Sequence, residues 1–209
     1  MPLQVSREGN RIAIAGELGL LEFRRVLATV HDATAKRGFK DLVLDFEHCT
    51  AAFAGPMLAL AAAAADLRRK GVDTKIVLPT KPALSRLFFN AGWAHLLDPI
   101  AHPESTFRGY THVPAVRFAS ASEQKAAVDR MIDAVLCSLP ELARGDLAAI
   151  EWSLNEITDN VMVHSQSELG GIVQLNNLLG AHGILYLSIN GTSRVASSGV
   201  RARCVFGSS

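Results

Sequence analysis

The chain has 209 residues, 49% of them hydrophobic and 20% charged, with a formal net charge of +1. These values sit close to the globular average and exclude global disorder, while the missing basic block argues against nucleic acid as a direct partner. The length suits two domains of about 100 residues each better than one large core.

The three cysteines, Cys49, Cys137 and Cys204, are widely spaced, odd in number and free of any C-x-x-C pair. They predict neither a disulfide framework nor a zinc site, and a reducing, cytoplasmic setting is expected. The opening "MPLQVSREGNRIAIAG" lacks the charged and apolar regions of a signal peptide. The apolar run "PMLALAAAAADL" is about half the length needed to span a bilayer and is followed by "RRK", so no membrane association is expected.

Alternation in "LQVSRE" and "NRIAIAGEL" around Gly9 and Asn10 predicts a hairpin. A helix over "LLEFRRVLATVHDATAK" stops at Gly38, and "KDLVLDF" reads as a central strand. A second helix is expected from about Gly55 to Lys70, then the strand "DTKIVLP", then a helix opened by Pro82 and closed by Gly92. Such an order implies an α/β domain with a mixed sheet over residues 1–98. Residues 99–113 carry scattered prolines without period and read as a linker.

Beyond the linker, a strand, a helix capped by Ser120 or Ser122, a helix from about 141 to 165, and the strands "GGIVQLNNLL" and "GILYLSIN" are expected within a domain over 114–190. Residues 191–209 are rich in Ser, Gly and Arg, lack acidic residues and read as a disordered tail.

The motif "IAIAGEL…FRRVL…GFKDLVLDF…GPMLAL…LRRKGVDTKIVLP…LSRLFFNAGW" resembles the STAS domain of anti-sigma factor antagonists and sulfate transporters over residues 3–98. In regulated members a serine at the start of the second helix accepts phosphate; Ala54 stands at that position here, so the resemblance implies docking without that switch. Thr50, the nearest hydroxyl, reads as a turn residue.

In "EWSLNEITDNVMVHS", residues 151–165, helical spacing puts Ile150, Leu154, Ile157 and Val161 on a core stripe. Ser153, Glu156, Asn160 and His164 form a second stripe at its border, where acid and amide oxygens four residues apart can face one hard cation. Polar residues at that spacing also suit an ordinary boundary face, and His164 suits the negative end of the helix dipole. Asn155 and Asp159 read as solvated.

The same segment is similar to the N-box, E-x-x-x-N-x-x-x-H-S, of the GHKL ATPase superfamily, which includes histidine kinases, gyrase and anti-sigma serine kinases. That similarity implies a partial Bergerat-type ATPase α/β sandwich, with ATP and Mg²⁺ as cofactors. It makes Asn160 the Mg-ATP ligand, Glu156 the acid that orients water or activates the acceptor, and His164 and Ser165 neighbours of the phosphates. The family's adenine-binding D-x-G-x-G is not matched: Asn190 stands at the aspartate position, Gly191 follows directly, and the lid is lacking. Asn190 could still offer a carbonyl oxygen to an adenine amine.

The expected function is a bacterial signalling protein that binds Mg-ATP and regulates a protein partner, such as a sigma or anti-sigma factor, through its STAS-like half, with a homo-oligomer allowed. An interaction module without nucleotide ranks second. An active serine kinase ranks third.

Overall fold

The computed structural model describes residues 2–106, 112–164, 170–178, 184–191 and 200–205, with backbone alone for 164, 176–178, 184–191 and 200–205. Two compact units, Met1–Thr106 and Phe107–Ser209, divide the chain. Both combine helices with a sheet, the α/β and α+β class that the element order predicts. Among the described residues, no helix is long and apolar enough to cross a membrane.

In the first unit, β1 (Gln4–Glu8) and β2 (Arg11–Leu18) form the expected antiparallel hairpin. Its closing pair, Glu8 and Arg11, leaves the two-residue turn Gly9–Asn10, and Gly9 takes φ 57°, a value open to glycine at no steric cost. From there β2 serves two neighbours. Residues 11–13 run parallel to β3 (Asp41–Asp45), and residues 16–18 run parallel to β4 (Cys49–Ala52). On its far side, β3 pairs in parallel with β5 (Asp73–Val77).

Parallel neighbours need long crossovers. Helix α1 (Phe23–His31), with a π-helical turn, Asp32–Lys36, after it, lies between β2 and β3, α2 (Ala54–Arg69) lies between β4 and β5, and α3 (Pro82–Asn90) and α4 (Trp93–Leu97) follow β5. The run from Pro56 to Ala62 in α2 is buried throughout, as is Ala64, so the alanine-rich stretch is a core helix. Phe46, Phe88 and Trp93 meet edge to face, with ring centroids 5.1 and 5.5 Å apart.

Two elements were not foreseen. The strand β4 has only four residues, too few to show a period, and it holds Thr50 exposed in extended backbone instead of in a turn. The short α4 is entered through Gly92 at φ 75°.

Its far end is closed from outside. The Arg68 guanidinium on α2 donates to the carbonyls of Leu96 and Leu97 at 2.7 and 2.9 Å and to Thr74 Oγ1 at 2.7 Å. Asp98, also buried, accepts from the N–H groups of Ile76 and Ala101. The expected linker is therefore shorter than 99–113. His102 donates its N–H to Asp98 O and its carbonyl lies 3.0 Å from His95 Nδ1, which ties these residues to the first unit. Residues 112 and 113 already belong to a strand.

Cys49 is 3% exposed in β4, and burial pushes its thiol above the ordinary range. A Cys137→Ser/Cys204→Ser variant should show no reaction of native protein with an aromatic disulfide reagent, followed by one equivalent released on unfolding. Rapid labelling of the native form would mean that β4 opens readily.

In the second unit, β6 (His112–Phe118), β7 (Gly171–Leu178), β8 (Ile184–Gly191) and β9 (Val200–Val205) form an antiparallel sheet in that order. A register shift between Val113 and Val116 interrupts β6, which also contains Pro114. Helices α5 (Ala121–Ser138) and α6 (Arg144–His164) pack on the sheet around Phe118, Val128, Met131, Leu154, Val173 and Leu175. Ser120 caps α5, accepting from the Glu123 N–H, while Glu123 reaches back to the Ala119 N–H at 2.7 Å.

The expectation of a disordered tail over 191–209 is corrected in part by β9. The segment "VRARCV" starts by alternating apolar and charged residues, a period of two that the surrounding glycines and serines obscure. It pairs with β8 from Ile189 and Val200 to Ile184 and Val205. The proposed start of the second helix also moves: Leu142 closes a turn on Leu139, and α6 begins at Arg144.

Candidate functional site

The inner face of α6 follows the predicted stripe. Ile150 and Leu154 are buried, and Ile157 and Val161 are partly buried against the same core. Gly171 lets this helix lie close to the sheet, and Gly170 lets the chain pass close to the end of β6. A Cβ on Gly171 would stand 2.7 Å from Val161 Cγ1 and 2.4 Å from Phe118 Cζ. Gly170, at φ 65°, would place a Cβ 1.9 Å from the Phe118 carbonyl oxygen.

On the outer side, Glu156 and Asn160 are both exposed, one helical turn apart. The amide of Asn160 donates to Glu156 Oε1 at 3.2 Å, so the two side chains meet, as their spacing implies. The Asn160 carbonyl oxygen and the second Glu156 oxygen have no protein partner among the described residues. Trp152 and Val163, each 68% exposed, stand on the same outer face.

The other predicted site residues are placed less fully. His164 is the last residue of α6, described by backbone only. Ser165 lies outside the described residues. Asn190 occupies β8 with Ile172 of β7 as its Cα partner, so it lies on a strand next to the one that α6 leads into.

Asp159 is exposed, as expected, but it also reaches α5: its Oδ1 accepts from Gln124 Nε2 at 2.7 Å. The same nitrogen donates to Thr158 Oγ1 at 2.9 Å. Thr158 is 0% exposed and passes its own hydroxyl proton to the carbonyl of Leu154 at 2.8 Å. A signal for Gln124 was present in the sequence: it falls on the helical stripe of Ala127, Val128, Met131 and Val135, where a polar side chain needs a buried partner.

The donor set limits the metal chemistry. Among the described residues, no group of three or more His, Cys, Asp or Glu side chains is placed to hold a metal ion. Glu156 and Asn160 offer a carboxylate and an amide oxygen. That suits Mg²⁺, which keeps several waters and is commonly held by one or two protein oxygens together with substrate phosphates. It suits a zinc or iron centre poorly.

No protein-family model matches the chain, and no curated protein matches its sequence significantly.

Proposed function

We propose that the second unit binds a magnesium nucleotide, ATP in the first instance, on the outer side of α6, and that the first unit is a STAS-like docking domain of a cytoplasmic bacterial signalling protein. The observation that carries this reading is the Glu156–Asn160 pair, exposed and in contact on a helix packed across an antiparallel sheet. The N-box similarity of the same residues supports it, and the helix pair followed by strands agrees with the order such an ATPase domain requires.

In this reading, Asn160 would hold the metal through its amide oxygen, and Glu156 would orient water or the acceptor hydroxyl. The N-box similarity would give His164 and Ser165 a part in phosphate binding and Asn190 a part in adenine binding. Magnesium, when bound with the nucleotide, neutralises phosphate charge. Asn190 in place of a carboxylate weakens the adenine contact, because it removes charge from that hydrogen bond. Binding is thus better supported than turnover. The partner is a protein, of the sigma or anti-sigma type, met through the STAS-like half.

Millimolar Mg-ATP should raise the melting temperature of the second unit within the full chain by roughly 7 °C if the nucleotide is present at about ten times its Kd. Asn160→Ala should remove that shift. A wild-type chain with no shift overturns the nucleotide reading.

A second reading has its own observation. Trp152 and Val163 are largely exposed beside Glu156 and Asn160, and a face of that composition suits protein contact. Under it, Trp152→Ala would weaken partner binding and Asn160→Ala would have no effect on nucleotide.

A further inference from the structure

On the C-terminal side of Glu156, Asp159 at i+3 and Asn160 at i+4 lie within helical reach on α6. For a hard cation a carboxylate is the stronger ligand, since an amide oxygen carries only partial charge. The hydrogen bond to Glu156 comes from the Asn160 amide, which has a donor that the Asp159 carboxylate lacks.

Asp159 is held elsewhere, by α5. Gln124 is 8% exposed, and its Nε2 is committed to Thr158 Oγ1 and Asp159 Oδ1. Thr158 can accept because its own proton goes to Leu154 O. Gln124, Thr158 and Asp159 thus form one bridge between residues 34 and 35 positions apart in the chain. Breaking it would leave a buried amide unpaired, which is costly.

We propose that Gln124 is a positioning residue that holds Asp159 toward α5 and so keeps a second carboxylate off the Glu156–Asn160 pair. The importance of this for ligand choice rests on the nucleotide reading above. A Glu–Asn pair carries one negative charge and takes a divalent cation together with the phosphates that complete its shell. A Glu–Asp pair carries two and takes the bare ion. Gln124 therefore selects a metal–phosphate complex over free metal.

The test uses the full chain and Tb³⁺, a hard cation whose luminescence is sensitised by a nearby indole. Trp152 is exposed one turn before Glu156, whereas Trp93 is buried in the first unit. In Gln124→Leu, Asp159 is released, and apparent Tb³⁺ affinity should rise about tenfold while Mg-ATP affinity, by calorimetry, falls about tenfold. Adding Asp159→Asn should return terbium emission to the wild-type level. A merely structural role for Gln124 would lower stability without any gain of cation binding.

A folded Gln124→Leu chain with wild-type terbium emission overturns the assignment, as does a gain that survives Asp159→Asn. If Gln124→Leu fails to fold, Asp159→Asn alone decides: Mg-ATP affinity within about twofold of wild type supports the assignment, and a loss of tenfold or more overturns it by making Asp159 a ligand. Absence of Mg-ATP binding by the wild type, with the terbium gain intact, overturns the nucleotide reading and still supports the hold of Gln124 on Asp159.

Discussion

Replacing Gly170 by alanine is expected to abolish the cooperative unfolding of the second unit. The residue sits at φ 65°, where a side chain costs about 1 kcal/mol from backbone sterics alone. Much more comes from space. The new methyl would lie 1.9 Å from the Phe118 carbonyl oxygen and 2.7 Å from the Ala119 Cα, both main-chain atoms that cannot swing aside. Moving them would displace β6 from β7 at the Phe118–Gly171 pair. The total should exceed about 4 kcal/mol, a large share of the stability of an ordinary domain. Circular dichroism of the full chain would then show one cooperative transition where the wild type shows two. Two intact transitions in Gly170→Ala would mean that β6 yields at little cost.

The second large effect is expected in the first unit. Arg68→Ala removes a guanidinium that donates to two carbonyls and one hydroxyl at 2.7 to 2.9 Å, and hydrogen bonds from charged donors are worth about 1.5–3 kcal/mol each. Since these contacts share one side chain, their losses do not add fully. A fall of about 3–5 kcal/mol is expected, read as a lower urea midpoint by Trp93 fluorescence, because Trp93 opens α4. Arg68→Lys should recover little of it. A single ammonium cannot reproduce the planar fork that reaches Leu96, Leu97 and Thr74 together. An unchanged midpoint in Arg68→Ala would show that α4 holds its end without this contact.

What could be read from the sequence was whatever depends on neighbours in the chain. The hairpin at Gly9–Asn10, the core helix α2 and the Ser120 cap all rest on local periodicity or turn chemistry, and each is found close to its expected place. The meeting of Glu156 and Asn160 is of the same kind, because helical spacing alone brings i and i+4 together. Elements defined by partners were harder. A four-residue strand such as β4 is stabilised by the ladder with β2, and α4 is closed by Arg68 on another helix. The strand β9 carries only six residues of pattern within a glycine- and serine-rich stretch.

The site shows the same division. Nothing local to "EITDNVMVHS" distinguishes Asp159 from a solvated surface acid. Its fate depends on Gln124, which the fold brings next to it from α5. Likewise, "GG" at 170–171 was readable as the start of a strand, but its close contact with Phe118 and Val161 requires knowing which strand and which helix lie against it.

One consequence of the second sheet concerns assembly. Its first edge is β6, where Pro114 lacks an N–H and the register slips between Val113 and Val116. An incoming strand copies an unbroken ladder, and this border does not present one. Adding a strand from another copy is therefore disfavoured at β6, where the ladder on offer is broken.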